Sequence, residues 1–185
     1  MTGKKVGTLQ KILRYFLQDN ENHIFYRIVD NDQNEWRYKI QCMRTRNILT
    51  LSLLDTISDR DIIYGLHPIQ ACFIGIELSL YLKLNPGNPS MKNVVQIRNY
   101  SISRYGRYRI YSENRDGTVS FIDKNTHEVF SAKSEYIASS FKYLKEFDAI
   151  QAFIIGQNVG EEISISETYK AEHPVSSNVH CIRDI

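Results

Sequence analysis

The chain has 185 residues, 42% of them hydrophobic and 24% charged, and 23 basic against 21 acidic side chains leave a formal net charge of +2. That balance is ordinary for a globular protein and too weak to bind nucleic acid or a membrane surface by charge alone. Nine glycines and four prolines exclude a collagen-like or low-complexity chain, and three scattered cysteines (Cys42, Cys72 and Cys181) are too few for a disulfide framework.

Thr8 is a good helix N-cap, followed at helical spacing by Leu9, Ile12, Leu13, Phe16 and Leu17. A hairpin comes next: Phe25 to Val29 and Glu35 to Gln41 are rich in aromatic and β-branched residues around the polar turn Asp30 to Asn34. Ile48 to Ile57 reads as a helix. Asp59 and Asp61 complement a helix N-terminus, and Pro68 to Leu84 forms the next helix, which ends at Asn85-Pro86-Gly87. His67, directly before Pro68, shapes the entry to that helix.

Ser90 then caps a weaker helix with Met91, Val94 and Val95. Arg107 to Ser112 and Thr118 to Ile122 form a second hairpin, whose Asp116-Gly117 pair is the strongest turn signal in the chain. His127 to Phe130 adds a strand, and Ser134 to Glu146 reads as a helix. Asp148 can cap a helix from Ala149, although Ala149 to Ile155 is short enough to be a buried strand instead. Ile163 and Ile165 alternate with serines and suggest one further short strand.

These elements repeat. Ile69-Gln70-Ala71-Cys72-Phe73-Ile74-Gly75 returns as Ile150-Gln151-Ala152-Phe153-Ile154-Ile155-Gly156, with five of seven positions identical at an offset of 81. Tyr26-Arg27-Ile28 returns as Tyr108-Arg109-Ile110 at an offset of 82, where Ile40 also falls on Ile122. A single deletion between the hairpin and the last helix reconciles the two offsets. The expected fold is α+β: a helix–hairpin–helix–helix unit written twice, with helices packed on antiparallel sheet. Neither half is large enough for its own core. One pseudo-symmetric domain over 1–165 is therefore expected, with halves at about 8–87 and 90–165, a connector at Asn85 to Ser90, and a flexible tail over 166–185.

The repeated helix carries small residues four apart: Ala71, Gly75 and Ser79, then Ala152, Gly156 and Gly160. Such stripes let two backbones approach closely. Either the two copies cross each other in the core, or a stripe receives a helix from a partner protein. Neither stripe has the Gly-Lys-Ser/Thr ending of a phosphate loop.

No catalytic constellation stands out. Cys72 sits among Ile69, Phe73 and Ile76, where a thiol is ordinary core, and neither Cys42 nor Cys181 has an obvious base. His173, His180 and Cys181 are the densest metal-ligand cluster, in a polar segment with too few ligands for zinc. A non-enzymatic protein with no cofactor and no metal is expected. From Arg98 to Arg115, arginines alternate with Tyr100, Tyr105, Tyr108 and Tyr111, residue types that hold phosphates and stack on bases. Strand alternation gives the competing reading: Arg107, Arg109 and Tyr111 on a wet face, Tyr108 and Ile110 on a core face.

At Ser58 to Glu77, and again at Phe147 to Gly160, a polar helix start leads into Gln-Ala, two apolar residues and Ile-Gly. In these two segments and in general size the chain resembles the LvgA-like accessory subunits of the Legionella type IVB secretion coupling complex. The resemblance implies a non-enzymatic adaptor that works with the IcmS and IcmW chaperone pair on the coupling protein to recruit effector proteins. The scattered cysteines and the lack of a long apolar run lead to the expectation of a cytoplasmic protein. The expected function is thus a protein-interaction adaptor or chaperone-like subunit of a hetero-oligomer, without membrane insertion. Its candidate contacts are Gly75, Ser79, Gly156, Gly160, Tyr105 and Arg107. The alternative is a single-stranded nucleic-acid binder using the Arg/Tyr segment 98–115.

Overall fold

The computed structural model describes residues 24–32, 34–85 and 105–172. The helices expected from Thr8 and Ser90, most of the connector and the His173–Cys181 cluster lie outside them. The fold is mixed α+β. Among the described residues there are two three-stranded antiparallel sheets and six helices. Strands β1 (Tyr26–Asp32), β2 (Arg37–Cys42) and β3 (Ile48–Ser52) pair in sequence order. Helices α1 (Leu53–Ser58), α2 (Arg60–Gly65) and α3 (Pro68–Leu84) follow. The order then recurs with β4 (Tyr108–Glu113), β5 (Thr118–Asp123) and β6 (Val129–Lys133), then α4 (Ser134–Ser139), α5 (Phe141–Leu144) and α6 (Ala149–Glu172).

Ile48 to Ile57 is not one helix. Ile48–Ser52 is a strand bonded to β2, and the Ser52 hydroxyl caps α1 by accepting from the Asp55 N–H. Two β-branched residues in Ile-Leu-Thr-Leu-Ser favour the strand, and Ser52 stops it. The expected Ser134–Glu146 helix is likewise broken at Ser140, whose extended backbone separates α4 from α5. The Ser139 hydroxyl donates to the Tyr136 carbonyl at 2.9 Å, a local bond of the kind that favours such a break. β6 starts later than His127 because His127 occupies the left-handed region at φ 62°. Ile163 and Ile165 lie in α6, not in a strand, and α6 runs on to Glu172, past the boundary expected at 165. The strand alternative for Ala149–Ile155 is likewise replaced by helix.

Helix entry follows the local chemistry. The His67 imidazole Nδ1 accepts from the Ile69 N–H at 3.1 Å, and Pro68 starts α3. Asp59 caps α2 by accepting from the Asp61 and Ile62 N–H groups. Asp148 accepts from the Gln151 N–H at the start of α6.

Both sheets are tied to the long helices by glutamine. The buried Gln70 amide accepts from the Ile28 N–H at 2.7 Å and donates to the Ile28 carbonyl at 3.0 Å. Gln151 accepts from the Ile110 N–H at 3.1 Å. These bonds fall where each sheet is irregular: β1 bulges between Ile28 and Asp30, and β4 between Ile110 and Ser112. A bulge leaves backbone groups without ladder partners, and the glutamines fill that need. Ile28 faces Ile40 and Ile110 faces Phe121. By register the position that corresponds to Ile40 is thus Phe121 rather than Ile122, so the offset between the two sheets changes from 82 to 81 in the hairpin turn, not between the hairpin and the last helix.

Candidate interaction surface

The two small-residue stripes meet each other. A methyl carbon on Gly75 would overlap the Phe153 carbonyl oxygen and lie 2.9 Å from the Gln157 nitrogen. One on Gly156 would overlap the Cys72 carbonyl oxygen and lie 2.8 Å from its carbonyl carbon. On Gly160 it would come within 2.7 Å of the Ile76 carbonyl oxygen and of the Ser79 Cβ. The Ser79 hydroxyl donates across the crossing to the Gln157 carbonyl at 2.8 Å. Gly75, Ser79, Gly156 and Gly160 are therefore spent on the α3–α6 contact inside the chain. As partner contacts these four are corrected: backbone already lies where a partner helix would have to enter. Around them Ile74, Leu78, Phe153, Ile154 and Ile155 complete the core.

Tyr105 is also largely committed. Its hydroxyl donates to the Tyr64 carbonyl at 3.2 Å and accepts from the Ala149 N–H at 3.0 Å, joining α2 to the start of α6. Arg107 stays at the surface with 45% of its side chain exposed, but it is paired with Asp123, whose side chain is 1% exposed. The guanidinium Nε donates to that carboxylate at 2.7 Å. This bond is the main reason the Asp123 carboxyl sits below its usual range, helped by the Asn125 and Thr126 N–H groups. Beyond it, β4 alternates as its sequence predicts: Tyr108 and Ile110 are buried, Arg109 and Tyr111 exposed.

Sequence reasoning missed an aromatic patch around Tyr108. Phe130, 41% exposed, stacks on Phe121 with centroids 5.7 Å apart, and edges onto Tyr108 at 6.4 Å. Burial raises the Tyr108 phenol above its ordinary range. Tyr136, 60% exposed, packs 6.2 Å from Tyr143. Val129 is also exposed, on the opposite face of β6 from Phe130. Phe130, Tyr136 and Tyr143 come from β6, α4 and α5, so no single periodic run announces them.

Chemistry is sparse elsewhere. A cleft of about 390 Å³ is lined by Phe25, Tyr26, Cys42, Arg44, Asp61, Tyr64, Gly65 and Tyr105. The Cys42 thiol is shifted below its ordinary range, first by its bond with the Thr45 side chain and then by the Thr45 and Arg44 N–H groups. Cys72 is the opposite case: burial pushes it up to about 12. Among the described residues no group of three or more His, Cys, Asp or Glu side chains could hold a metal ion, and no helix is long and apolar enough to cross a membrane. No protein-family model, curated protein or solved structure matches the chain.

Proposed function

We propose that this chain is a non-enzymatic protein-interaction adaptor, a subunit that docks another protein chain through the Phe130–Tyr136–Tyr143 patch. The observation that supports the reading is the exposure of three aromatic side chains from separate elements: Phe130 at the margin of the buried Tyr108 cluster, and the Tyr136–Tyr143 pair. Aromatic residues concentrate in the cores of protein interfaces, where a large ring is desolvated at small entropic cost. Arg107, beside Tyr108 and still partly exposed, supplies a rim charge. The narrower form of the proposal is an accessory subunit that recruits effector proteins to a bacterial type IVB secretion coupling complex. It rests only on the resemblance at Ser58–Glu77 and Phe147–Gly160.

The same proposal treats the chain as two copies of one unit. Supporting it, Gln70 and Gln151 reach Ile28 and Ile110 alike. The Gly75 contact with Phe153 mirrors the Gly156 contact with Cys72. Trp36 and Gly117 take positive φ at matching turn positions, as do Arg46 and His127.

The test is affinity purification of the tagged chain from its native cells at physiological salt, with and without nuclease. A stoichiometric protein partner that survives nuclease, and is lost from a Tyr136→Ala/Tyr143→Ala variant, is the expected result. A second reading, single-stranded nucleic-acid binding, is favoured by Arg109 and Tyr111 sharing one exposed face of β4. It predicts co-purifying nucleic acid and no protein, with binding that falls steeply with salt and is abolished by Arg107→Glu/Arg109→Glu.

A further inference from the structure

Edge strands expose unpaired backbone N–H and C=O groups, and most proteins blunt them with charge, bulges or proline. Of the four sheet edges among the described residues, three carry such a device. β1 has Arg27, Asp30, Asp32 and a bulge; β4 has Arg109, Glu113 and a bulge; β6 has Lys133. β3 has none: Ile-Leu-Thr-Leu-Ser is uncharged and regular, and among the described residues no strand pairs with its outer side. Its Ile48 is 55% and its Leu49 43% exposed.

The ladder fixes which groups face outward. The Cys42 N–H donates to the Asn47 carbonyl, and the Leu53 N–H to the Trp36 carbonyl. Antiparallel alternation then turns Leu49 and Leu51 toward β2, and leaves the N–H and C=O of Ile48 and Thr50 on the open edge. The charges at the two ends of β3 are opposite. Arg44 and Arg46 stand exposed in the turn before it, and Asp55 and Asp59 stand exposed just after it. Among the described residues, none of these four forms a salt bridge within the chain.

We propose that β3 pairs antiparallel with β3 of a second copy of this chain, joining two sheets into a continuous six-stranded one. An antiparallel strand pair about a twofold axis sets the start of one strand against the end of the other. With Thr50 on the axis, Leu49 of one copy lies across from Leu51 of the other, twice, covering apolar surface on one face. The same operation brings the Arg44/Arg46 turn of each copy over the Asp55 end of its partner. A strand edge with one basic and one acidic end is complementary to itself in this orientation alone. This surface is distinct from the aromatic patch on β6, α4 and α5, so either proposal can fail without the other.

Sedimentation velocity on the full chain, across about 1 to 200 μM and at two salt concentrations, tests it. The expected result is a monomer–dimer equilibrium in the micromolar range that weakens with salt. Thr50→Pro removes an outward N–H and should shift the dimer constant at least tenfold, with the urea midpoint unchanged, whereas Ser131→Pro on β6 should not affect it. Arg44→Glu/Arg46→Glu, a surface change that leaves the fold alone, should weaken association about tenfold, and adding Asp55→Arg should restore it. A chain that stays monomeric throughout, or a dimer indifferent to the charge reversal, overturns the proposal.

Discussion

Replacing Gly156 by alanine adds one methyl group at the point where α6 lies against the Cys72 carbonyl. The new carbon would overlap that oxygen and stand 2.8 Å from the carbonyl carbon. The obstructing atoms are backbone inside a continuous helix, so no side-chain rotation removes the clash. The helices must part by roughly 1 Å, and a gap of that size forfeits up to about half of the local dispersion energy. Overpacking of this kind costs about 1–3 kcal/mol, and the rigid obstacle puts this site at the upper end. Helix propensity opposes the loss, since alanine is favoured over glycine by about 1 kcal/mol. The net expectation is a loss of about 2 kcal/mol. With a urea slope near 2 kcal/mol/M, the unfolding midpoint followed by far-UV circular dichroism should fall by about 1 M. A midpoint that is unchanged or raised would refute backbone-to-backbone packing at this crossing, because propensity alone predicts a gain.

Gln70→Leu leaves both the N–H and the C=O of Ile28 buried without partners and should cost about 2–4 kcal/mol by urea titration. Gln151→Leu loses the bond to the Ile110 N–H and should cost less. The Asp123 carboxyl, held low chiefly by Arg107, contributes stability that is present above the unfolded-state value near pH 4 and lost as pH falls through the lower folded value. Wild type should therefore lose stability more steeply than Asp123→Asn between about pH 4 and pH 2, as read from thermal midpoints. Iodoacetamide near neutral pH should label Cys42 in the native protein and Cys72 only after unfolding, which peptide mass mapping would resolve.

The elements most legible in the sequence were those with a chemical stop or start. Pro68 and Asn85 bound α3 as expected, and Asp116-Gly117 marks a turn where Gly117 takes φ 77°. The first hairpin hid its counterpart: Trp36 sits at φ 53°, a conformation costly for a bulky residue, held by edge-on packing against Tyr81 at 5.5 Å. A tryptophan in that position gives no turn signal. β3 lies in a short apolar run that fits either period, and only its ladder with β2 decides for strand. The small-residue stripes were visible, but their owner was not, since spacing cannot tell an internal partner from an external one. The exposed aromatics were invisible for a different reason: Phe130 meets Tyr108 and Phe121, and Tyr136 meets Tyr143, only once the separate strands and helices have packed. Gln70 and Gln151 did carry a signal, a glutamine recurring inside an apolar run, whose use became clear only beside the two bulges.

The α3–α6 crossing also sets the order in which the molecule can be completed during synthesis. Gly75 emerges from the ribosome 81 residues before Gly156, which at ordinary elongation rates is about 4–16 s. Through that interval α3 has its backbone-hugging face and the neighbouring Phe73, Ile74 and Leu78 with nothing to close against. The first three strands can pair early, but the interior cannot seal until Phe153 and Gly156 have left the exit tunnel. A nascent chain stalled between these points would present a bare, nearly uncharged helix to whatever factors wait at the tunnel mouth. Folding of the interior is in this sense postponed until α6 has followed α3 out of the tunnel.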